Sequence, residues 1–194
     1  MKTFSLIALM LSVVIVTKAQ TSDIHFGIKA GLNISSLDVK DGVDFDSKAG
    51  LYLGGLAHVH LSPHLAVQPE LVYSQQGGKD GSDKWNINYV NVPILLQYMA
   101  GNGFRIQTGP QFGIKASAKI KSGDVEVENH DVSTLDFSWA LGASYIGASG
   151  LGVDARYNIG ISNVDDASSP IVRNRVFQVG LFYQFASAIE GHRK

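Results

Sequence analysis

From Ile24 onward the chain alternates apolar with polar or small positions over about eight stretches. In the first, Ile24, Phe26, Ile28, Ala30 and Leu32 fall on one side. His25, Gly27, Lys29, Gly31 and Asn33 fall on the other. A period of two is the pattern of a strand with unlike faces. Further strands are predicted at about Leu51–Leu61, Leu65–Gln75, Asn88–Tyr98 and Phe104–Ala116. Three more follow at Leu135–Tyr145, Leu151–Gly160 and Phe177–Phe185. The links alternate in length. Short ones lie at Ser62, Gly101 and Ala148; long ones span Ile34–Lys48, Gln76–Lys84, Ser117–Thr134 and Ser162–Arg173.

A continuous row of such strands has one physical solution in lipid. Every backbone N–H and C=O there needs a partner, so the sheet must close on itself. The prediction is all-β: an eight-stranded antiparallel up-and-down transmembrane barrel with short periplasmic turns and long extracellular loops. An even strand count puts both chain ends on the periplasmic side. Tyr98, Phe104, Tyr145, Tyr183 and Phe185 stand beside the short turns or the chain end, where they form a periplasmic aromatic girdle. Val125 and Val127 alternate with charges, so the third loop is expected to extend its hairpin beyond the membrane.

Alternation does not say which face is outside. A secreted barrel of lipocalin type, with an apolar lumen for a small ligand, is the alternative. The polar face weighs against it: Lys29, Glu70, Arg105, Asp154, Arg156 and many glycines make a poor soluble exterior.

Before the strands, Lys2 precedes an apolar run from Phe4 to Val16, and Thr17-Lys18-Ala19 offers a small-x-small cleavage signal. Residues 1–19 therefore read as a signal peptide, 20–185 as the barrel domain and 186–194 as a short tail. The apolar run is shorter than the ~20 residues of a spanning helix. Absence of Cys excludes disulfides, thiolate metal sites and thiol catalysis. A net charge of −1 leaves no basic footprint for nucleic acid.

The inward charges are of mixed sign. In a barrel of about eight strands the interior is just wide enough for side chains to fill. Lys29, Glu70, Arg105, Lys115, Asp136, Asp154 and Arg156 are expected to form a structural charge network in the lumen, with Glu70 and Asp154 held by Arg105 and Arg156. A proton or ion pathway is the alternative. Lys29 and Arg156 are the cations nearest Gln178 on the last strand, so Gln178→Glu is expected to be tolerated.

His58 and His60 share a strand face, but no third ligand is evident beside them, so no metal site is assigned. Asp38, Asp41, Asp44 and Asp46 in the first long loop, and Asp124, Glu126, Glu128 and Asp131 in the third, lack EF-hand spacing and read as solvated acidic loops. His130 with Asp131 and Ser133 is a chance neighbourhood of a polar loop rather than a catalytic set. No catalytic residue and no cofactor is assigned.

Three segments carry a family resemblance: Phe26-Gly-Ile-Lys-Ala-Gly-Leu-Asn33, Gln68-Pro-Glu-Leu-Val-Tyr-Ser-Gln-Gln-Gly77 and Tyr89-Val-Asn-Val-Pro-Ile94. In this order the chain resembles the PorT-like outer-membrane β-barrel family, the "porin family" barrels of Gram-negative bacteria. The resemblance covers nearly all of the mature chain and implies an outer-membrane location. It allows a role as accessory subunit of an envelope secretion machine. One departure stands out: where many outer-membrane barrels end at a terminal aromatic, Phe185 is followed by Ala186–Lys194. Together the residues and the resemblance point to a non-enzymatic, monomeric barrel. Its partners are outer-membrane lipid and lipopolysaccharide, and its role is structural or recognition through the outer loops.

Overall fold

The computed structural model describes residues 24–39, 46–81, 83–122, 125–128, 132–164 and 172–185. The predicted leader and tail lie outside them. The strands are β1 (Ile24–Val39), β2 (Lys48–Ser62), β3 (Leu65–Asp80), β4 (Asp83–Met99), β5 (Phe104–Ser122), β6 (Val125–Glu128), β7 (Leu135–Ile146), β8 (Leu151–Gly160) and β9 (Val172–Gln184). Each of the eight long strands pairs antiparallel with its chain neighbours. β1 pairs with β9 from Gly27↔Gln184 to Val39↔Val172, which closes the ring. β6 is a ninth piece, folded back on the far end of β5 with Lys121↔Glu126 and Lys119↔Glu128 in register. It contains Val125 and Val127, the residues of the expected hairpin extension.

The strands run further at the long-loop end than the alternation indicates. β1 continues past Ile34 to Val39 and β5 past Ala116 to Ser122. The predicted loop Gln76–Lys84 is a strand hairpin, paired through Gly78↔Trp85 and Lys79↔Lys84 to Asp80↔Asp83. The reason is physical. Beyond the bilayer the outer face of a strand meets water and turns polar, while inward residues such as Ile87 and Ala118 are apolar, so the apolar-out pattern ends while backbone pairing goes on.

The outer face is apolar and the inner face mostly polar, with Leu56, Val72, Leu95 and Phe182 among the apolar residues buried inside. Outside, Phe26, Ile28, Leu53, Leu71, Ile106, Leu141, Val153 and Leu181 are exposed. Inside, Lys29, Asn33, Glu70, Asn91, Gln107, Gln111, Asp154 and Arg156 are buried. A lipocalin-type barrel requires the reverse, so that alternative is set aside. Aromatics bound the apolar exterior at two levels. Tyr98, Phe104, Tyr145, Tyr183 and Phe185 stand at the short-turn end, with the Tyr183 and Phe185 rings 5.5 Å apart. Phe112, Phe137, Trp139, Tyr157 and Phe177 stand towards the loops, with Phe112 and Phe137 5.2 Å apart. Phe104 and Phe112 lie eight positions apart on β5. At ~3.3 Å per residue and a tilt of ~40° that is about 20 Å of height, close to the ~25 Å apolar band of a spanning barrel.

Candidate functional site

Any internal site of this barrel is in its lumen, and the luminal side chains stack in layers. Midway along, Lys29 of β1, Glu70 of β3 and Asp154 and Arg156 of β8 meet in one buried cluster. Arg156 donates from Nη1 to Glu70 Oε2 (3.0 Å) and from Nη2 to Glu70 Oε1 (2.9 Å). The same Nη2 lies 3.2 Å from Asp154 Oδ2. Lys29 Nζ bridges the two acids, 3.3 Å from Glu70 Oε2 and 3.2 Å from Asp154 Oδ2. Two cations face two anions, so the layer is neutral.

Neutral side chains complete the layer. Gln68 Nε2 donates to Glu70 Oε1 (2.8 Å), Tyr52 Oη to Asp154 Oδ1 (2.9 Å) and Gln107 Nε2 to Asp154 Oδ2 (3.3 Å). Tyr52, Gln68 and Gln107 are uncharged and carry no sign in the sequence of belonging to this network. Their parity was the available signal that they point inward, but parity does not show which residues of distant strands meet. Charges taken out of water cost several kcal/mol each and persist only when paired and hydrogen-bonded, as they are here.

Above this layer runs a chain of amides. Asn158 Nδ2 donates to Gln178 Oε1 (2.9 Å), Gln178 Nε2 to Asn33 Oδ1 (2.9 Å), and Asn33 Nδ2 to Ser74 Oγ (2.9 Å). Closer to the loops the lumen turns apolar. Ile87 and Tyr89 of β4 and Ala118 of β5 pack with Val132 and Val164 from the bases of two long loops, and Trp85 packs against them. Backbone bonds hold the loop bases inward: Ser133 N to Val164 O (2.7 Å), Val164 N to Val172 O (2.8 Å) and Lys115 N to Thr134 O (2.8 Å). Two residues assigned to the network belong to this upper region instead. Lys115 Nζ donates to the Val132 carbonyl. Asp136 accepts from Ser162 Oγ (3.0 Å).

Arg105 is a third departure. It was expected to hold Glu70 or Asp154, but its Nη2 donates to Gln184 Oε1 (3.2 Å) near the short-turn end. It is the second residue of β5, two positions before Gln107, the β5 residue that reaches Asp154 of the ionic layer. Three histidines share that end. β1–β2 pairing sets His25 directly across from His58. The His25 and His60 ring centres are 5.6 Å apart, those of His58 and His60 4.6 Å. Among the described residues no three donors are arranged to hold a metal ion.

Of the acidic loop residues, Asp38 pairs with Arg175 across β1 and β9. Asp41, Asp44, Asp124, His130 and Asp131 lie outside the described residues, as does the Glu126 side chain.

A family model described as "Outer membrane protein beta-barrel domain" matches residues 18–166. No curated protein matches the chain in sequence. Among solved structures, the fold is similar to Neisserial surface protein A, with a TM-score of 0.61 and 15% identity over 82% of this chain and 97% of that one. It is also similar to Ail, the attachment invasion locus protein of Yersinia pestis, with a TM-score of 0.55 and 16% identity over 83% of this chain and 98% of that one. The ring of eight antiparallel strands, its apolar exterior and the family match agree: the chain belongs to the outer membrane protein beta-barrel domain family.

Proposed function

We propose that this protein is a sealed, non-enzymatic outer-membrane barrel that acts through its outer surface as a structural or recognition element. The observation that carries the reading is the filled lumen. A neutral ionic layer, an amide layer and an apolar plug folded in by the loop bases lie in series along it. A wide water channel needs many more strands than eight.

Recognition falls to the long-loop end, where β1, β3, β4 and β5 extend past the apolar band and β6 adds to β5. Lipopolysaccharide surrounds such extensions in the outer leaflet. The closed ring needs no second copy to satisfy its strands, which supports a monomer. Ail, on a barrel of the same fold, has been captured with the heparin analogue sucrose octasulfate. The same reading includes PorT-like kinship and removal of residues 1–19 on export. Mass spectrometry of the envelope protein should find its N-terminus at Gln20 or Thr21.

The decisive experiment has two readouts. In planar bilayers the refolded protein should carry no steady current. On cells, a variant in which residues 123–131 of the third loop are replaced by a short Gly-Ser turn should still assemble but lose surface binding. Steady conductance by the wild type would refute the sealed reading. Full surface binding by the loop variant would refute recognition through that loop.

A further inference from the structure

The short-turn mouth of the lumen holds a charge that the ionic layer does not use. Arg105 is 7% exposed. The ion pairs among the described residues join Lys29 and Arg156 to Glu70 and Asp154, and Arg175 to Asp38; none includes Arg105. Its Nη2 donates to Gln184 Oε1 at 3.2 Å, and its Nη1 has no hydrogen-bond partner. A guanidinium buried to this degree without a carboxylate is costly, because the charge has lost water and gained no counter-charge.

Two further donors beside it are also unused. Gln184 gives its carbonyl oxygen to Arg105, which leaves its Nε2 without a partner, at 7% exposure. Ser144 is the residue directly opposite Arg105 across β5 and β7; its Oγ is unpartnered and the residue is 6% exposed. β5 and β9 stand three places apart in the ring of eight, so the Arg105 arm reaches over both β7 and β8 to Gln184. Ser144 thus stands beside the root of the Arg105 arm and Gln184 at its tip.

The setting selects the sign of a ligand. Arg105 lies close enough for its charge to act on His58. Gln68 and Gln97 flank the same ring, though neither completes a hydrogen bond of ordinary geometry with it. The rings invite a metal ion, but a cation would be brought up against the unpaired guanidinium. An anion would be drawn to it, because Asp154, the partner of Ser144 across β7 and β8, is already held by Lys29 and Arg156.

We propose that this mouth is an oxyanion site, in which Arg105 Nη1, Gln184 Nε2 and Ser144 Oγ hold a phosphate group presented from the periplasmic side. Phosphate fits better than carboxylate because three separate donors call for three acceptor oxygens, and guanidinium pairs with phosphate in a fork. The group comes either as free phosphate or on the headgroup of an inner-leaflet phospholipid.

The test uses the full chain refolded in maltoside micelles, which contain no phosphate. Inorganic phosphate is titrated in while the side-chain resonances of Arg105 and Gln184 are followed by nitrogen–proton NMR, with chloride at equal ionic strength as the control. A short-chain phosphatidylglycerol forms a second arm. Saturable shifts with both probes assign free-phosphate chemistry; shifts with the lipid alone assign the headgroup. Either supports the site. Arg105→Met should retain the gel mobility of the folded barrel and lose the response. Ser144→Ala keeps the charge and should bind about tenfold more weakly, the worth of one charge-assisted hydrogen bond. If neither probe moves Arg105 and Gln184 beyond the chloride control, or if Arg105→Met responds like the wild type, the proposal is overturned.

Discussion

Arg156 and Glu70 meet fork to fork in the middle of the lumen, with both guanidinium Nη atoms on both carboxylate oxygens at 2.9 and 3.0 Å. β8 and β3 are not neighbours in the sheet, so this pair ties opposite walls of the barrel. Glu70→Gln keeps the volume but leaves Lys29 and Arg156 with only Asp154. The expected cost is about 3–5 kcal/mol in reversible unfolding from vesicles, the range for breaking a buried pair. Adding Lys29→Met returns the layer to one cation and one anion and should recover part of the loss. Additive losses in the double variant would show that the four charges do not act as one unit.

Asp136 provides the contrast. It was expected in the same network, yet the described partner of its carboxylate is the Ser162 hydroxyl. Asp136→Asn keeps an oxygen to accept that bond and strips no cation of its counter-charge. The expected change is within about 1 kcal/mol in the same unfolding assay, the net worth of one neutral hydrogen bond. A loss as large as that of Glu70→Gln would place Asp136 in a charge pair after all.

These two carboxylates show how far the sequence could be read. Parity placed both inside, because a strand sends alternate side chains to opposite faces. Parity also sorted lipid-facing Val153 and Leu181 from luminal Asp154 and Gln178. Which inward residues meet is set by strand stagger around the ring, and that is not a local property. Lys29, Glu70, Asp154 and Arg156 fall at one height, whereas Arg105 falls at the short-turn end with Gln184 and Lys115 at the loop end with Val132. His25 became a neighbour of His58 for the same reason, through the β1–β2 register. The outer hairpins were missed on different grounds: Lys79, Lys84 and Lys121 stand opposite one another on the outside, while the apolar residues Trp85, Ile87 and Ala118 turn inward, the reverse of the pattern in the membrane.

Tyr52 lies across β1 and β9 inside the lumen because two glycines make room for it. Gly31 and Gly180 are paired across β1 and β9, and Tyr52 is paired with Gly31 from the other side. A Cβ at Gly180 would run into the Ala30 carbonyl and the Tyr52 hydroxyl. That hydroxyl is the donor to Asp154 Oδ1 at 2.9 Å. Gly180→Ala should therefore cost about 1–3 kcal/mol by overpacking. Tyr52→Phe in the Gly180→Ala background removes the clashing oxygen and should relieve some of the loss. No relief would mean that the backbone clash alone matters.

On the lipid face, Trp139 and Thr108 satisfy each other. Trp139 Nε1 donates to Thr108 Oγ1 at 2.9 Å, and that hydroxyl donates to the Ala140 carbonyl at 3.0 Å. Thr108→Val keeps the shape and leaves the indole N–H to find lipid headgroups or water. The expected loss is about 0.5–1.5 kcal/mol, with a shift in Trp139 emission as its environment changes. An unaltered spectrum would show that the indole does not use this bond in the bilayer.

The adjacent residues Val179 and Gln178 test both faces at once. Val179 is 42% exposed on the outside, opposite Leu32 on β1 and Ala155 on β8. These neighbours lie between the two aromatic levels, so Val179→Arg puts a guanidinium into hydrocarbon. About 2–4 kcal/mol should be lost in vesicles. Gln178 faces inward and holds a definite place in the amide chain: its oxygen accepts from Asn158 and its Nε2 donates to Asn33 Oδ1. Reasoning from nearby cations alone favours Gln178→Glu, since Arg156 is its cross-strand partner. The structure reverses that expectation. Arg156 already serves Glu70 and Asp154, and a glutamate would set an acceptor against the Asn33 oxygen. Gln178→Glu should cost about 1–3 kcal/mol, the penalty of an unsatisfied buried group. Gln178→Glu should lose similar stability in vesicles and in maltoside micelles, because its fault lies inside the wall. Val179→Arg should be milder in micelles, where water reaches the barrel exterior more readily. Equal behaviour of the two variants across both media would argue that the faces are not divided as described.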